Sequence, residues 1–204
     1  NGYVLCTSGT TALSRAFYFD GDAICDQFRA LTGLLETSDR WGRELVQERS
    51  LAFLPFHHVM GFTTVFLLTQ VMGNTMVFPK TMAPEEVLDA CRKHRVTQLI
   101  SIPLFWNSVA RTVRGRWKMM GKEVEAKLAH ALEESLRIQK KHGRAGQEMI
   151  NKIVMPKLRE QLFGNDMQLL CTGGGYIPRE SLELFNGLGY YFVNGYGVTE
   201  TGII

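Results

Sequence analysis

Two short polar stretches near the opposite ends of this chain carry groups suited to binding a nucleotide. The first, residues 7–11, follows an apolar strand-like segment and offers amides and hydroxyls that can donate hydrogen bonds to phosphate oxygens. The second, residues 195–202, contains the aromatic ring of Tyr196 and the carboxylate of Glu200. A site for a base, a phosphate chain and a divalent cation needs these kinds of group. We therefore expect folding to bring the two stretches around one ligand. The donors of the first stretch are Thr7, Ser8, Gly9, Thr10 and Thr11.

Two further motifs lie between these stretches. A histidine pair, His57 and His58, follows Leu-Pro-Phe and precedes an apolar helical run that contains Gly61. A triple glycine follows an apolar strand-like run, and its lack of side chains would let a flat aromatic base lie directly against the backbone. The three glycines are Gly173, Gly174 and Gly175.

In this order and approximate spacing, the four motifs resemble those of the adenylate-forming superfamily, which includes acyl-CoA synthetases, firefly luciferase and the adenylation domains of peptide synthetases. The resemblance spans nearly the whole chain and implies binding of ATP and Mg²⁺, with coenzyme A as a co-substrate. It implies that adenine lies between the triple glycine and Tyr196, which Gly197 follows. It also implies that Thr199 contacts phosphate, that Glu200 serves as the metal ligand, and that His58 lines the acyl pocket and orients the substrate carboxylate.

The phosphate loop departs from the pattern of the superfamily. Gly, a variable residue, Pro and Lys usually stand where this chain has Ala12, Leu13, Ser14 and Arg15. Arg15 keeps the positive charge, whereas Ala12 lacks the backbone freedom of glycine. The loop is not a Walker motif, which needs Gly-Lys at the start of a helix. Residues 16–19 instead predict a second strand, followed by a turn at residues 20–21, so we expect the loop to join two strands.

Each motif also has a simpler explanation. A Ser/Thr/Gly run is typical of a polar turn, and a glycine run is typical of a strand-to-helix turn. Glu200 has the alternative of an exposed surface acid. For His57 we favour a place in the core or a supporting hydrogen bond over direct chemistry. A metal at the histidine pair is disfavoured, because no further ligand follows at a suitable spacing.

Composition is ordinary for a soluble globular unit, and the chain reads as one domain. The chain has 204 residues, 45% hydrophobic and 21% charged, and its net charge of +3 gives no reason to propose nucleic acid as a ligand. The cysteines have no C-x-x-C spacing and lie mostly among apolar neighbours, so we expect buried thiols in a reducing, cytoplasmic compartment. The longest apolar stretch, residues 59–72, is too short and too interrupted to cross a bilayer.

Strand-like and helix-like patterns alternate, which predicts an α/β fold with a largely parallel sheet flanked by helices. The predicted strands are residues 3–6, 50–54, 75–78, 98–102, 168–171 and 190–193, and the predicted helices are residues 22–36, 58–72, 84–94 and 177–186. Residues 111–164 contain no strand-like run, and their apolar residues recur at four-residue intervals. We expect this segment to be a helical insertion over the core, ending one helix near Gly143 and breaking near Met155, before Pro156.

A basic cluster opens this insertion. A solvated face is its ordinary meaning, while an anionic membrane surface, met by peripheral contact, and the phosphates of coenzyme A are alternatives. The cluster consists of Arg111, Arg114, Arg116, Lys118 and Lys122.

By resemblance, the parent protein is expected to be an acid-thiol ligase that adenylates a carboxylic acid with ATP and then transfers the acyl group to coenzyme A. The helical insertion resembles the long-chain fatty acyl-CoA synthetase branch. The family's ribose-binding aspartate and C-terminal domain have no counterpart in residues 1–204, so we expect a single fragment of the N-terminal domain with negligible turnover alone. Alternatives are a catalytically silent nucleotide-binding scaffold and an aryl or amino-acid adenylation domain. A P-loop kinase is disfavoured by the missing loop lysine. Oligomeric state is not indicated.

Overall fold

A five-stranded parallel sheet forms the centre of the protein in the computed structural model, which describes residues 2–7, 15–37 and 48–203. Its strands are β3 (Arg49–Leu51), β4 (Thr75–Val77), β5 (Gln98–Ser101), β6 (Leu169–Thr172) and β7 (Tyr191–Asn194), in the spatial order β4-β3-β5-β6-β7. All four neighbouring pairs are parallel. Because helices separate successive strands of the sheet and cover it, the predicted α/β class is confirmed.

Two antiparallel hairpins accompany the sheet. The first pairs β1 (Gly2–Cys6) with β2 (Ala16–Asp20), so the predicted phosphate loop does connect two strands. The second pairs β8 (Gly197–Val198) with β9 (Gly202–Ile203). The predicted turn at residues 20–21 is wrong, because helix α1 (Gly21–Thr37) begins at once. The Asp20 carboxylate accepts a hydrogen bond from the Ala23 amide at 2.9 Å, which satisfies a free donor of the first turn.

The helices of the sheet region follow the predicted order with small shifts in their ends. They are a π-helix (Met60–Leu67) continued by α2 (Leu68–Val71), then α3 (Pro84–Lys93), α4 (Pro103–Met119), α5 (Lys122–Met149), a π-helical turn (Ile150–Val154), α6 (Pro156–Leu162) and α7 (Arg179–Gly187). Within the described residues, no helix combines the length and the apolar character that crossing a bilayer requires.

The core lies on both faces of β5 and β6. On one face Leu99 and Leu170 join a large cluster with α3, α4, α6 and α7, and on the other Ile100 and Cys171 meet the π-helix side. All four residues of β5 are buried, as expected for a central parallel strand covered on both sides. Trp106 of α4 is the centre of the large cluster, fully buried, and its indole Nε1 donates to the Cys171 carbonyl at 3.1 Å.

The predicted helical insertion begins earlier than its expected start at residue 111. Helix α4 starts at Pro103, a favoured residue for the first helical turn, and buries Phe105 and Val109 in the main core. Helix α5 packs on α4 and α7, and its Ser135 hydroxyl donates to the Gly187 carbonyl at 2.6 Å. These contacts tie the long helices to the sheet.

Two predicted breaks in this region are confirmed. The backbone at Gly143 has φ 55° and ψ −129°, which divides α5 into two helical parts. Met155 leaves helical geometry before Pro156 opens α6. Between these breaks, Arg137 of α5 pairs with Glu134 at 2.6 Å.

The cysteines are only partly as expected. All four are free thiols, but Cys6 and Cys25 are exposed, whereas Cys91 is buried and Cys171 is half-buried. Cys6 is exposed because it lies in the two-stranded hairpin, outside the covered sheet. Burial raises the pKa of Cys91 to about 12 and that of Cys171 to about 11, so both stay protonated and unreactive near neutral pH.

Candidate functional site

The carboxyl ends of the central strands carry the loops that the sequence singled out. The Gly173 amide donates to the Ser101 carbonyl at 3.3 Å, and the Gly195 amide donates to the Thr172 carbonyl at 2.7 Å. These bonds fix the first residues of the loops after β6 and β7 next to each other. In open parallel sheets, ligands bind in the crevice at this edge.

The triple glycine consists of three structurally different positions. A Cβ on Gly173 would lie 3.1 Å from the Met60 sulfur and 3.3 Å from the Gly195 carbonyl oxygen, so close packing favours a glycine there. Gly174 has φ +75°, which favours glycine for its backbone, and a Cβ on it would have no neighbour within 4 Å.

Gly175 differs from the other two glycines. A Cβ on it would have its nearest neighbour, an atom of the Pro103 ring, at 3.7 Å, which is ordinary van der Waals contact. Its φ lies outside the left-handed region. Neither packing within the described residues nor the backbone therefore explains Gly175, and its bare, exposed backbone leaves room for a planar ligand group.

The aromatic partner expected for that ligand stands on the neighbouring loop. Tyr196 directly follows Gly195 and is 75% exposed, so its ring is open to a ligand. A second exposed ring, Tyr176, directly follows the triple glycine and was not singled out in the sequence. Such a residue can be found only by asking which aromatic side chains remain uncovered once the loops are placed.

The histidine pair occupies the start of the π-helix region. Both imidazoles are exposed, and their ring centroids are 4.2 Å apart with the planes tilted by 48°. The expectation that His57 lies in the core is wrong, because its side chain is exposed. The alternative of a supporting hydrogen bond stays a prediction. The segment turns sharply here, because the His58 amide donates to the Pro55 carbonyl at 3.2 Å.

Gly61 makes this turn possible. A Cβ on Gly61 would lie well inside van der Waals contact of the Pro55 carbonyl oxygen. The following π-helix starts at Met60, which packs beside Gly173. His58 is therefore two residues from Met60, whose sulfur packs beside the triple-glycine loop.

Thr199 and Glu200 lie at the turn of the β8–β9 hairpin, which the Thr201 amide closes by donating to the Val198 carbonyl at 3.2 Å. Glu200 and Thr201 line one wall of a shallow groove of about 440 Å³, whose other wall is formed by β2 and α1. The hairpin is seated on α1 at Gly202, where a Cβ would collide with the Gln27 side chain. The structure thus places Glu200 beside the elements that follow the phosphate loop.

The base of the phosphate loop continues the β1–β2 ladder. The Thr7 amide donates to the Arg15 carbonyl at 2.9 Å, and the Thr7 hydroxyl accepts from the Arg15 amide at 3.2 Å. The Arg15 side chain is exposed and has no ion-pair partner among the described residues. The other loop residues of the predicted site lie outside the described residues, namely Ser8, Gly9, Thr10 and Thr11, as do Ala12, Leu13 and Ser14.

The β1–β2 hairpin is held against the π-helix by aromatic contacts. Tyr3 stacks on Phe19 with centroids 5.1 Å apart and meets Phe62 edge-on at 4.8 Å. Strand β9 also contacts the π-helix. The β1–β2 hairpin and strand β9 therefore both pack on the π-helix that follows the histidine pair.

The donor set fits a magnesium ion bound together with phosphates. In the part of the chain that the structure describes, no three His, Cys, Asp or Glu side chains cluster as an independent metal site. Glu200 is exposed, and its carboxylate is unpaired within residues 2–7, 15–37 and 48–203. Mg²⁺ commonly takes one or two carboxylates and completes its shell with substrate phosphates and water. The Glu200 carboxylate, on the wall of the groove formed with β2 and α1, supplies one such ligand.

Two solved structures with the same fold are each covered over less than half of their own length. The chain superposes on an inhibitor-bound N-terminal domain of FACL13 from Mycobacterium tuberculosis with a TM-score of 0.61 and 19% identity, covering 98% of this chain and 37% of that one. ATP-bound MatB from Rhodopseudomonas palustris gives a TM-score of 0.61 and 18% identity over 98% and 29% of the two chains. At these identities the likeness concerns the fold.

Sequence comparison finds a feruloyl-CoA synthase from an Amycolatopsis species that is 24% identical over 153 residues, which are 75% of this chain and 22% of that protein. A feruloyl-CoA synthase from a Streptomyces species matches to the same extent. The chain thus spans about a fifth of the length of these curated relatives. The AMP-binding enzyme family matches residues 2–204. The predicted resemblance is therefore confirmed, and the chain belongs to the family of AMP-binding enzymes.

Proposed function

We propose that the protein containing this chain is an AMP-forming acid-thiol ligase, which adenylates a carboxylic acid with ATP and passes the acyl group to coenzyme A. The observation that carries the proposal is the family match over residues 2–204, combined with the meeting of the Gly173 and Gly195 loops at the carboxyl edge of the sheet. The name of the feruloyl-CoA synthases supports a carboxylic acid and coenzyme A as substrates.

The proposed roles follow the positions of the described side chains. Adenine lies against the backbone of Gly174 and Gly175, with Tyr196 on its other face. Arg15 and the loop from Thr7 to Thr11 hold the phosphates, because an exposed arginine with no ion-pair partner among the described residues is available to a phosphate oxygen. Thr199 donates its hydroxyl to a phosphate.

Glu200 holds Mg²⁺ in this proposal. The ion, when bound, neutralises charge on the phosphate oxygens as pyrophosphate leaves. His58 orients the attacking carboxylate, since a carboxylate is already an anion near neutral pH and needs placement more than a base. The Gly61 turn and the Met60 contact fix the backbone on both sides of His58.

We propose a hydrophobic carboxylic acid as the substrate, and more specifically a long-chain fatty acid. The long helical region before β6 supports the long-chain branch by resemblance, whereas the feruloyl-CoA synthases support an aryl acid. Free thiols at Cys6 and Cys25 support the proposal of a reducing, cytoplasmic compartment.

The test uses the complete protein and measures pyrophosphate and AMP release with ATP, Mg²⁺, coenzyme A and either fatty acids of graded length or ferulic acid. Glu200→Gln should lower kcat by about 10²-fold. The substitution removes the negative charge proposed to bind Mg²⁺ while negative charge develops on the phosphate oxygens. Glu180→Gln, a change of the same type on the exposed first turn of α7, should leave the rate unchanged.

Release of AMP that depends on one acid class and on coenzyme A would support the ligase and identify its branch. Mg-ATP binding without turnover with any acid would support a silent nucleotide-binding scaffold instead. Equal rates for Glu200→Gln and Glu180→Gln would remove Glu200 from the reaction while leaving the ligase activity itself intact.

A further inference from the structure

The turn between α4 and α5 exposes two adjacent apolar side chains. Met119 is 84% exposed, the most of any large hydrophobic residue in the described part of the chain, and Met120 is 64% exposed. Gly121, with φ +104°, turns the chain directly after them. We call Met119 and Met120 the methionine tip.

The tip projects because the last turn of α4 is anchored from behind. Trp117 is 7% exposed and packs in the main core, which fixes the rotation of the helix at this point. Its neighbours Arg116, Lys118 and Met119 consequently face outward. The exposure of the tip thus follows from a buried anchor two residues away.

The chain segment that leads to the tip is basic. The chain has no aspartate or glutamate between residues 90 and 122, while five cations surround or approach the tip. They are Arg111, Arg114, Arg116, Lys118 and Lys122, and we call them the basic collar. Arg114 donates to the Glu180 carbonyl at 3.0 Å. The other four have no ion-pair partner within the described residues.

Acidic residues lie next to the basic collar in the first turn of α5, but they do not neutralise it. Glu123 opens the first turn of α5 but is paired with Lys127 at 2.6 Å, and Glu125 follows it on the same helix. The collar therefore retains uncompensated positive charge next to an uncovered apolar tip. This combination suits an anionic surface with an apolar interior.

We propose that the methionine tip and the basic collar dock this protein onto an anionic lipid bilayer. Met119 and Met120 enter the boundary between headgroups and acyl chains, and the collar contacts the lipid phosphates. Contact of this kind is peripheral and is independent of the ligase reaction proposed above. Charge complementarity selects the bilayer as the occupant, since four unpaired cations on a protein partner's apolar surface would lose water without gaining a counter-ion.

The test is flotation of the complete protein with vesicles of phosphatidylcholine and phosphatidylserine, compared with vesicles of phosphatidylcholine alone. Binding should require phosphatidylserine and weaken as salt rises. The double variant Arg116→Gln with Lys118→Gln should bind about thirtyfold more weakly, at about fivefold per cation. The double variant Met119→Ser with Met120→Ser should bind about tenfold more weakly, because the tip then adds no apolar contact.

Matched controls separate docking at the tip from general attraction. Lys140→Gln with Lys141→Gln removes the same charge from exposed positions of α5, about 27 Å along the helix from Lys122, which is beyond the Debye length of about 8–10 Å. Met82→Ser changes an exposed methionine elsewhere. Both controls should bind vesicles like the unaltered protein, and all variants should keep its circular dichroism spectrum.

Several results would overturn the proposal. These are the absence of binding to phosphatidylserine vesicles, equal losses for the collar variant and the Lys140 and Lys141 variant, and unchanged binding after both tip methionines are replaced. Self-association without vesicles that disappears in the tip variant would show that the tip contacts a second copy of the protein, and would overturn it as well.

Discussion

Gly175→Ala is expected to separate nucleotide binding from folding. The new methyl would have its nearest neighbour in the Pro103 ring at 3.7 Å, and the position does not use a left-handed backbone. The folded state therefore accommodates alanine without a collision. A base lying against the same backbone would be displaced by the methyl, because the two would occupy one space.

The loss of ATP affinity can be estimated from the stacking contact that the new methyl group removes. Stacking of a base on a planar or aromatic surface contributes about 1–3 kcal/mol, which corresponds to about 5- to 150-fold in affinity. Because substrate and transition state share this contact, the KM for ATP should rise by at least the lower factor while kcat stays nearly constant. The free energy of unfolding should change by less than about 1 kcal/mol.

The assay pairs KM for ATP in pyrophosphate exchange by the complete protein with the melting temperature. Gly115→Ala is the matched control, because Gly115 is an exposed glycine within α4 with no atom within 4 Å of a built Cβ. It should raise the melting temperature by about 2–4 °C and leave the KM unchanged. An unchanged KM in Gly175→Ala, with the control behaving as expected, would refute the placement of the base against this loop.

Further expectations concern stability. Gly61→Ala should lower the free energy of unfolding by about 1–3 kcal/mol, because its methyl collides with the Pro55 carbonyl oxygen, and urea denaturation measures it. Trp106→Phe should cost about 1–3 kcal/mol in the same assay, since it leaves a void and the Cys171 carbonyl without its donor; an unchanged midpoint would contradict the contact. Burial raises the pKa of the Glu48 carboxyl in the folded state, so its stabilising effect is complete below its ordinary pKa and is lost as pH rises through the raised one. Glu48→Gln should therefore flatten the decline of the melting temperature between the ordinary and the raised pKa, and an unaltered pH profile would count against a buried carboxyl.

The sheet could be predicted from the sequence because its central strands need apolar residues on both faces. Residues 98–101 are uniformly buried, and such a run followed by a helical pattern is typical of a parallel strand. Strand β3 ends at Leu51, three residues before its predicted end, since the chain leaves the sheet to make the tight turn at Pro55. That turn depends on the approach of Gly61, which is a tertiary contact.

The start of α4 was predicted too late for a different reason. Residues 99–106 form one apolar run interrupted by a serine and a proline, and periodicity does not separate the end of a buried strand from the start of a buried helix within it. Pro103 marks the boundary, because proline fits the first helical turn and lacks the amide that a strand would use. The chemistry of Pro103 therefore locates the boundary between strand and helix, which the apolar pattern alone does not.

The three glycines show why motif reading alone leaves a site incomplete. In the sequence Gly173, Gly174 and Gly175 are equivalent, and each could equally be a turn glycine. In the structure Gly173 is favoured by the close packing of Met60 and Gly195, and Gly174 is favoured by its positive φ. Gly175 has neither requirement, so the described residues leave the absence of its side chain unexplained. A motif residue that the fold does not explain is stronger evidence for a ligand than one that it does, and the case for nucleotide binding at this loop depends on Gly175 more than on the number of glycines.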